Sequence, residues 1–404
     1  MLRTLFALLV LILIAYIGSR HGFQKKILSR GLYHFFLTGT EYIFIGLLLG
    51  PHGFDVITRD VIIAVSPFII FGLAFVGFIA GSQFEWRFIK RFSKRMYIAA
   101  IGIDLLTFVV VLASFYFLFT WLNLLEEGVY HPVFIIAISA MGAAPASIMM
   151  VLRKFKRFHK LPHLLQFISG FGDLIVIIFF GILLSFEDLS THQIQLGYIA
   201  GFHWFFISIL IGFALGIAFY SALTIRRQSQ NEYLALLIGL LAFSGGIASY
   251  LHLSPIFVSA IAGISYINLP KVRGVASAPF VLAKVERPFY FILLILVGAL
   301  WNPTPWWAFL LALVYCLVRI GGKTLGGNLV HLFFPEKQAP PKWFGIGLTA
   351  QGGVAIAVII NYQIGYTSEP IQTSVTIMLT GLILNELISP SLLTYLCKRN
   401  SESP

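Results

Sequence analysis

Apolar runs of about 20 residues recur along almost the whole chain, and they constrain the fold more than any other feature of the sequence. Such a run can cross a bilayer as one helix, because the hydrocarbon core is about 30 Å thick and each helical residue adds about 1.5 Å. Hydrophobic residues make up 58% of the 404 residues and charged residues only 11%. A soluble fold of this composition could not cover its surface with polar groups. The sequence therefore predicts an all-α polytopic membrane protein.

About thirteen membrane-spanning helices are predicted from these runs. Their approximate bounds are 2–18, 31–49, 61–80, 96–121, 131–151, 164–186, 195–222, 233–251, 254–269, 288–300, 305–330, 343–362 and 371–397. The ninth and tenth are short and bracketed by prolines, so the count could differ by one. The first run could be read as a secretory signal peptide, but no convincing small-residue cleavage site precedes Arg20. It is interpreted as a retained helix.

Charges in the loops test the orientation of these spans independently. Basic clusters such as 87–95 and 153–160 alternate with loops that are acidic or nearly uncharged. By the positive-inside rule the N-terminus lies outside and the C-terminus in the cytoplasm, which requires an odd number of spans. The same clusters explain the net charge of +12 by cytoplasmic retention and contact with anionic lipid, without a nucleic-acid partner. We expect an integral protein of the cell (inner) membrane.

Asp173 is the only charged residue of the sixth span. A carboxylate at that depth costs about 2.5 kcal/mol or more, so it persists only with a partner or a watery cavity. The residue types point to a site that binds protons or a monovalent cation (Na⁺ or K⁺). The alternative is a structural ion pair that locks two helices together. No cofactor is indicated, because the two cysteines have no metal-ligand spacing and no phosphate loop or catalytic motif is present.

Two predicted spans contain backbone-breaking residues near mid-depth. Span five carries Gly142 and Pro145, and span twelve carries Gln351, Gly352 and Gly353. An unwound backbone at that depth is tolerated only where protein or a cavity satisfies its polar groups. The two spans lie an odd number of crossings apart, so they run in opposite directions, as an inverted-topology repeat with two discontinuous crossing helices requires. The alternative is that both are ordinary packing or kink devices.

The eleventh span adds two cations one helical turn apart, Arg319 and Lys323. Arginine stays protonated, so Arg319 needs an anion or a cavity, and pairing with Asp173 or Glu386 is predicted. Lys323 shares its face and lies nearer the cytoplasmic end, and the favoured interpretation is that its ammonium extends to the inner interface.

Three further acids are lower-ranking candidates. Asp104 in span four is expected either to line an inner vestibule or to cap a contact with the scaffold. Glu386 in the last span is expected to form a structural pair. Glu41 in span two is interpreted as a structural or lipid-related residue rather than a transport ligand.

Taken in order, these features resemble the monovalent cation:proton antiporter superfamily over nearly the whole chain. The matching segments are 78–85, 143–147, 151–153, the acidic span six, 297–299, the basic span eleven, 347–355 and 385–390. The resemblance implies that Asp173 alternately binds a cation and protons. It also implies a mobile core that slides against a scaffold, and a scaffold that forms a homodimer.

The sequence departs from the family pattern at two places. Gly172 stands where relatives usually have Asn or a second Asp, and Gly142-Ala143 stands where many have Thr-Asp. Both departures remove oxygen ligands from the expected cation site. Arg319 occupies the position where electrogenic relatives usually have lysine, and so resembles the electroneutral branch of the family.

The expected domain organisation follows the spans. Scaffold helices are predicted at 1–95 and 233–304, core helices at 96–190 and 305–398, a linker helix at 191–232 and a short tail at 399–404. The expected function is electroneutral exchange of Na⁺ or K⁺ for H⁺ by alternating access. A non-exchanging channel or sensor with the same fold stays open, and a membrane-embedded enzyme is disfavoured because no nucleophile, metal cluster or acid–base pair is evident.

Overall fold

The computed structural model describes residues 7, 9–14, 16, 39–124, 130–152, 161–191, 197–224, 229–270, 282, 286–333, 340–366 and 368–401. Every regular element within these ranges is a helix. The α-helices are α1 Glu41–Leu49, α2 Arg59–Ser82, α3 Trp86–Ile89, α4 Lys94–Trp121, α5 His131–Met141, α6 Pro145–Leu152, α7 Leu161–Thr191, α8 Gly197–Thr224, α9 Gln230–Tyr250, α10 Pro255–Asn268, α11 Glu286–Leu300, α12 Ala308–Phe333, α13 Gly353–Gly365 and α14 Glu369–Ser401. A 3-10 helix, Phe344–Leu348, precedes α13. The predicted all-α fold class is confirmed.

Eight of the described segments are long and apolar enough to cross a membrane, and three shorter apolar helices accompany them. Together these segments correspond to predicted spans three to thirteen. The predicted span 2–18 lies largely outside the described residues, and the predicted span 31–49 is described as helix only over α1. Spans nine and ten are short, as their flanking prolines indicated: α10 has 14 residues and α11 has 15.

The described chain divides into two compact units. The first is built mainly from Gly46–Arg91 and Ile177–Leu300, and the second mainly from Phe92–Val176 and Trp301–Pro404. The predicted division into scaffold and core stays a prediction. All ten candidate residues, from Asp104 to Glu386, belong to the second unit.

In the first unit, small residues let α2 and α10 pack with their backbones in contact. A Cβ atom added to Gly81 would overlap the carbonyl oxygen of Ala260, and one added to Gly263 would overlap that of Phe78. Close backbone approach replaces the hydrophobic effect as the source of helix association in lipid, where van der Waals contact is the main gain. Glycine is therefore required on both facing surfaces.

In the second unit, two glycines bring α12 against α4. A Cβ atom on Gly322 would lie 3.1 Å from the Cα of Thr107, and one on Gly326 would lie 2.9 Å from the Cα of Ile103. Larger side chains at these two positions would hold the helices apart. The close approach places the part of α12 that carries its two cations beside the part of α4 that carries an acid.

Candidate functional site

Two interrupted helices cross within the second unit, as the sequence predicted. The first interruption separates α5 from α6, and Gly142 at its start has extended backbone (φ −58°, ψ 148°). Pro145 then begins α6, where a missing N–H costs nothing because the first N–H groups of a helix have no intrahelical partner. The second interruption lies between the 3-10 helix and α13, which begins at Gly353.

The two interruptions contact each other directly. The backbone N–H of Ala144 donates to the carbonyl oxygen of Ala350 at 2.9 Å. A Cβ atom on Gly352 would lie 3.0 Å from the Cβ of Ala144, so any larger residue at position 352 would press on Ala144 and the two unwound segments would have to shift. Each interruption thus satisfies part of the backbone that the other leaves without a helical partner.

Arg319 on α12 contacts both interruptions where the two helices cross. Its guanidinium is fully buried and donates to three carbonyl oxygens: Nε to Ala140 at 2.9 Å, Nη1 to Thr349 at 2.5 Å and Nη2 to Gly142 at 2.6 Å. These carbonyls lie where α5 and the 3-10 helix end, and helix C-termini carry partial negative charge and free acceptors.

The predicted pairing of Arg319 with Asp173 or Glu386 is wrong. Among the described residues, its partners are carbonyl oxygens of both interruptions. The physical reason is that a broken helix exposes several carbonyl acceptors at one place. A planar guanidinium with five N–H donors can bond several of these carbonyls at once, which a single carboxylate partner would not allow.

Lys323 lies one turn further along α12 and is also buried, with 1% of its surface exposed. Its ammonium donates to Asp104 Oδ1 on α4 at 2.6 Å and to the carbonyl oxygen of Met141, the last residue of α5. The predicted extension of Lys323 to the inner interface is therefore wrong. Both predicted roles of Asp104 are also replaced, because its carboxylate forms a buried ion pair inside the second unit.

Asp173 on α7 lies beside the same interruption and is half-buried, unlike Asp104 and Lys323. Its Oδ1 is 3.7 Å from the position that a Cβ on Gly142 would occupy, and the backbone N–H of Ala143 lies close to the carboxyl group. It is also near enough to the Asp104–Lys323 pair to interact with both charges. The structure thus brings Asp173 to the interruption of span five.

On the other side of the crossing, Gln351 is held by three hydrogen bonds. Its Nε2 donates to the carbonyl oxygen of Ser139 at 2.9 Å and to the Tyr315 hydroxyl at 2.9 Å, and its Oε1 accepts from Asn385 Nδ2 at 3.0 Å. Gln351 therefore joins α5, α12 and α14 at the second interruption. A fixed amide here holds the unwound segment in one position.

Glu386 follows Asn385 on α14 and is 2% exposed. Neither of its carboxyl oxygens has a hydrogen-bond partner among the described residues, although the Gln351 backbone and the Ser147 side chain lie close. The structural pair predicted for Glu386 is therefore not found in the described part of the chain.

Sequence reasoning missed Tyr315, although a signal was present. Tyr315, Arg319 and Lys323 recur every fourth residue on α12, so they form one polar stripe along an otherwise apolar helix. Each member of the stripe contacts the crossing: the tyrosine through Gln351, the arginine through three carbonyls and the lysine through Met141. The stripe therefore predicts the face of α12 that meets the interruptions.

The described residues contain no group of three or more His, Cys, Asp or Glu side chains that could hold a tightly bound metal ion. The arrangement instead provides one half-buried carboxylate next to unwound backbone, with a buried ion pair and a buried guanidinium close by. Such a carboxylate can accept either one proton or one weakly bound monovalent cation.

The sequence matches a family model, and the fold is similar to solved structures. Residues 38–397 match the family described as sodium/hydrogen exchanger, transmembrane. The fold is similar to a structure of the sodium proton antiporter MjNhaP1 from Methanocaldococcus jannaschii at pH 8, with a TM-score of 0.66, 15% identity and coverage of 96% of this chain and 99% of that one. An electron-microscopy structure of the same antiporter matches with a TM-score of 0.60, 18% identity and coverage of 99% and 98%. No curated protein matches the sequence.

Proposed function

Because the chain belongs to the sodium/hydrogen exchanger family, we propose that it is a secondary transporter that exchanges a monovalent cation, Na⁺ or K⁺, for H⁺ at Asp173. The observation that carries the proposal is the position of this half-buried carboxylate at the crossing of two interrupted helices. The structurally similar MjNhaP1 is named a sodium proton antiporter, which makes Na⁺ the first cation to test.

Competition for one carboxylate couples the two fluxes. Ionised Asp173 binds the cation, and protonation of the same oxygens removes the negative charge that the cation needs. The occupied and the protonated forms are both neutral, so either can be buried at low cost, whereas the empty ionised form is expensive to bury. Exchange without ATP follows if only the two neutral forms change their exposure from one side of the membrane to the other.

The charges around Asp173 stay constant during this cycle. Asp104 and Lys323 form an ion pair in which Oδ1 and Nζ are 2.6 Å apart, so their charges cancel. The Arg319 guanidinium donates to carbonyl oxygens at helix ends. The backbone N–H of Ala143, just before α6, adds a favourable partial positive charge beside Asp173. Only the occupancy of Asp173 changes, which supports exchange of one cation for one proton.

We therefore expect exchange to be electroneutral. In proteoliposomes, an imposed membrane potential should leave the initial rate of Na⁺-driven proton flux unchanged, because no net charge crosses the bilayer. The matched measurement is current on a solid-supported membrane, with protein-free vesicles as the control. A sustained current, or a rate that changes with potential, would contradict the one-for-one stoichiometry.

Protons should also compete with the cation for the same site. Lowering the pH on the Na⁺ side should raise the KM for Na⁺, while the maximal rate at saturating Na⁺ stays the same. The measurement is proton flux in proteoliposomes challenged in turn with Na⁺, K⁺ and Li⁺ at two pH values. Absence of flux with all three cations would refute the proposed function, and cation conductance without proton counterflow would indicate a channel.

The proposed assembly follows from the family resemblance and from the loop charges. The second unit holds all candidate residues, which supports its role as the moving core against the first unit as scaffold. A homodimer in the cell (inner) membrane, with the N-terminus outside and the C-terminus in the cytoplasm, is the arrangement that the basic loops and the resemblance favour. It uses no cofactor and no catalytic residue.

A further inference from the structure

We propose that Asp104 supplies a second carboxylate oxygen to the cation bound at Asp173, so that the site takes one ligand from α4 and one from α7. The inference rests on the proposed function, and it adds a ligand that the sequence had assigned to a vestibule or a scaffold contact. The proposed site consists of two carboxylates and the Lys323 ammonium, and it suits a small monovalent cation.

The first argument is an unused oxygen. Asp104 is 1% exposed, and its Oδ1 is occupied by Lys323 at 2.6 Å. Its other oxygen, Oδ2, is buried and has no hydrogen-bond partner among the described residues. A carboxylate oxygen without any partner in a buried site loses its hydration and gains nothing in return, so such an oxygen is rarely left without a partner. A bound cation would satisfy it.

The second argument is the direction of that oxygen. A Cβ atom added to Gly172 would lie only 2.5 Å from Asp104 Oδ2, so the oxygen is directed at the backbone of the residue that precedes Asp173. The volume that a side chain at position 172 would fill is therefore taken by the carboxylate of another helix. The oxygen that the sequence appeared to lose at Gly172 is delivered from α4 instead.

The third argument is charge. Asp104, Asp173 and Lys323 together carry a net charge of −1 when both carboxyl groups are ionised. One monovalent cation neutralises the group, whereas a divalent cation would leave an excess positive charge in an apolar surrounding, which is costly. The Lys323 ammonium also holds the Asp104 carboxylate through Oδ1, which leaves Oδ2 directed at the backbone of Gly172 before the cation arrives.

The competing explanation is that Asp104 serves only to neutralise Lys323. Two variants separate the explanations. Asp104→Asn removes the ligand charge but also leaves the ammonium unpaired, whereas Asp104→Asn combined with Lys323→Met removes both charges and keeps the side-chain volumes. The readout is the KM for Na⁺ and the maximal rate of proton flux in proteoliposomes, with K⁺ as a second probe.

If Asp104 is a ligand, the KM for Na⁺ of the double variant should be about tenfold or more above that of the wild type. The maximal rate should change much less. Return of the double variant to the wild-type KM would show that Asp104 only neutralises Lys323, and would overturn the inference. Thr107→Val is the matched control, because Thr107 is buried one turn away on α4 and, within the described ranges, its hydroxyl donates to the Ile103 carbonyl of its own helix alone. Its KM should equal that of the wild type.

A third variant keeps the test decisive if the charge variants fail to fold. Gly172→Ala leaves every charge in place but directs a methyl group at Asp104 Oδ2, so it should also raise the KM for Na⁺. A wild-type KM in Gly172→Ala would overturn the inference. The wild-type protein is measured first: its failure to exchange any cation would refute the proposed function, whereas normal exchange with unaffected variants would refute only the role of Asp104.

Discussion

Asp173→Asn is expected to abolish cation-driven proton flux. The amide is nearly isosteric with the carboxyl group, so the helix and its neighbours should remain in place, but it can neither bind a cation by charge nor release a proton at any physiological pH. In proteoliposomes the flux should fall to the level of protein-free vesicles with Na⁺, K⁺ and Li⁺ alike. We expect a loss of at least about a hundredfold, since the proposed cycle has no second carboxylate that alternates between the two ions.

Asp60→Asn is the matched control for this result. Asp60 is an exposed aspartate in the first turn of α2, in the other compact unit, so its neutralisation should leave exchange unchanged. Both variants should elute as single peaks from size-exclusion chromatography in detergent. Persistent Na⁺-driven flux in Asp173→Asn would remove Asp173 from the mechanism.

The second large effect is expected at Arg319. Arg319→Met keeps an unbranched apolar side chain in the core of α12, but it removes the donors to the carbonyl oxygens of Ala140, Gly142 and Thr349. Three buried acceptors would lose their partners at about 1 kcal/mol or more each, so we expect a destabilisation of about 3 kcal/mol. Exchange should be lost as well, because the two interruptions would no longer be held in one arrangement.

Thermal unfolding in detergent measures this effect, followed by fluorescence or by the fraction that remains monodisperse after heating. Arg319→Lys should recover only part of the stability, since one ammonium cannot contact three carbonyls in the plane of a guanidinium. Arg59→Met, at an exposed arginine that begins α2, is the control and should unfold at the wild-type temperature. An unchanged unfolding temperature in Arg319→Met would show that the three hydrogen bonds do not hold the crossing together.

The chain differs from the usual pattern of its family at two positions near Asp173. Gly172 and Gly142 lack the side-chain oxygens that relatives have at these positions, so the sequence alone left the expected cation site short of ligands. The structure provides backbone next to Asp173 at Gly142 and Ala143, and it places a carboxylate from α4 against Gly172. We propose that these groups take the place of the side-chain oxygens that Gly172 and Gly142 lack.

The sequence by itself determined the class of the protein and the interruptions of two spans, and it singled out Asp173 and Arg319 as candidate residues. These features are local. An apolar run favours the membrane, a Gly or Pro weakens the helix and a charge is costly to bury, whatever the helix packs against. The polar stripe through Tyr315 on α12 is a local feature of the same kind.

Only the tertiary structure decided which charge meets which partner. Lys323 and Asp104 are 219 residues apart in the chain, and no spacing rule connects them. They meet because Gly322 and Gly326 let α12 approach the backbone of α4, which brings the Lys323 ammonium within reach of the Asp104 carboxylate. In the same way, Arg319 binds carbonyls rather than an acid because two broken helices expose their acceptors at one crossing, which a single sequence cannot show.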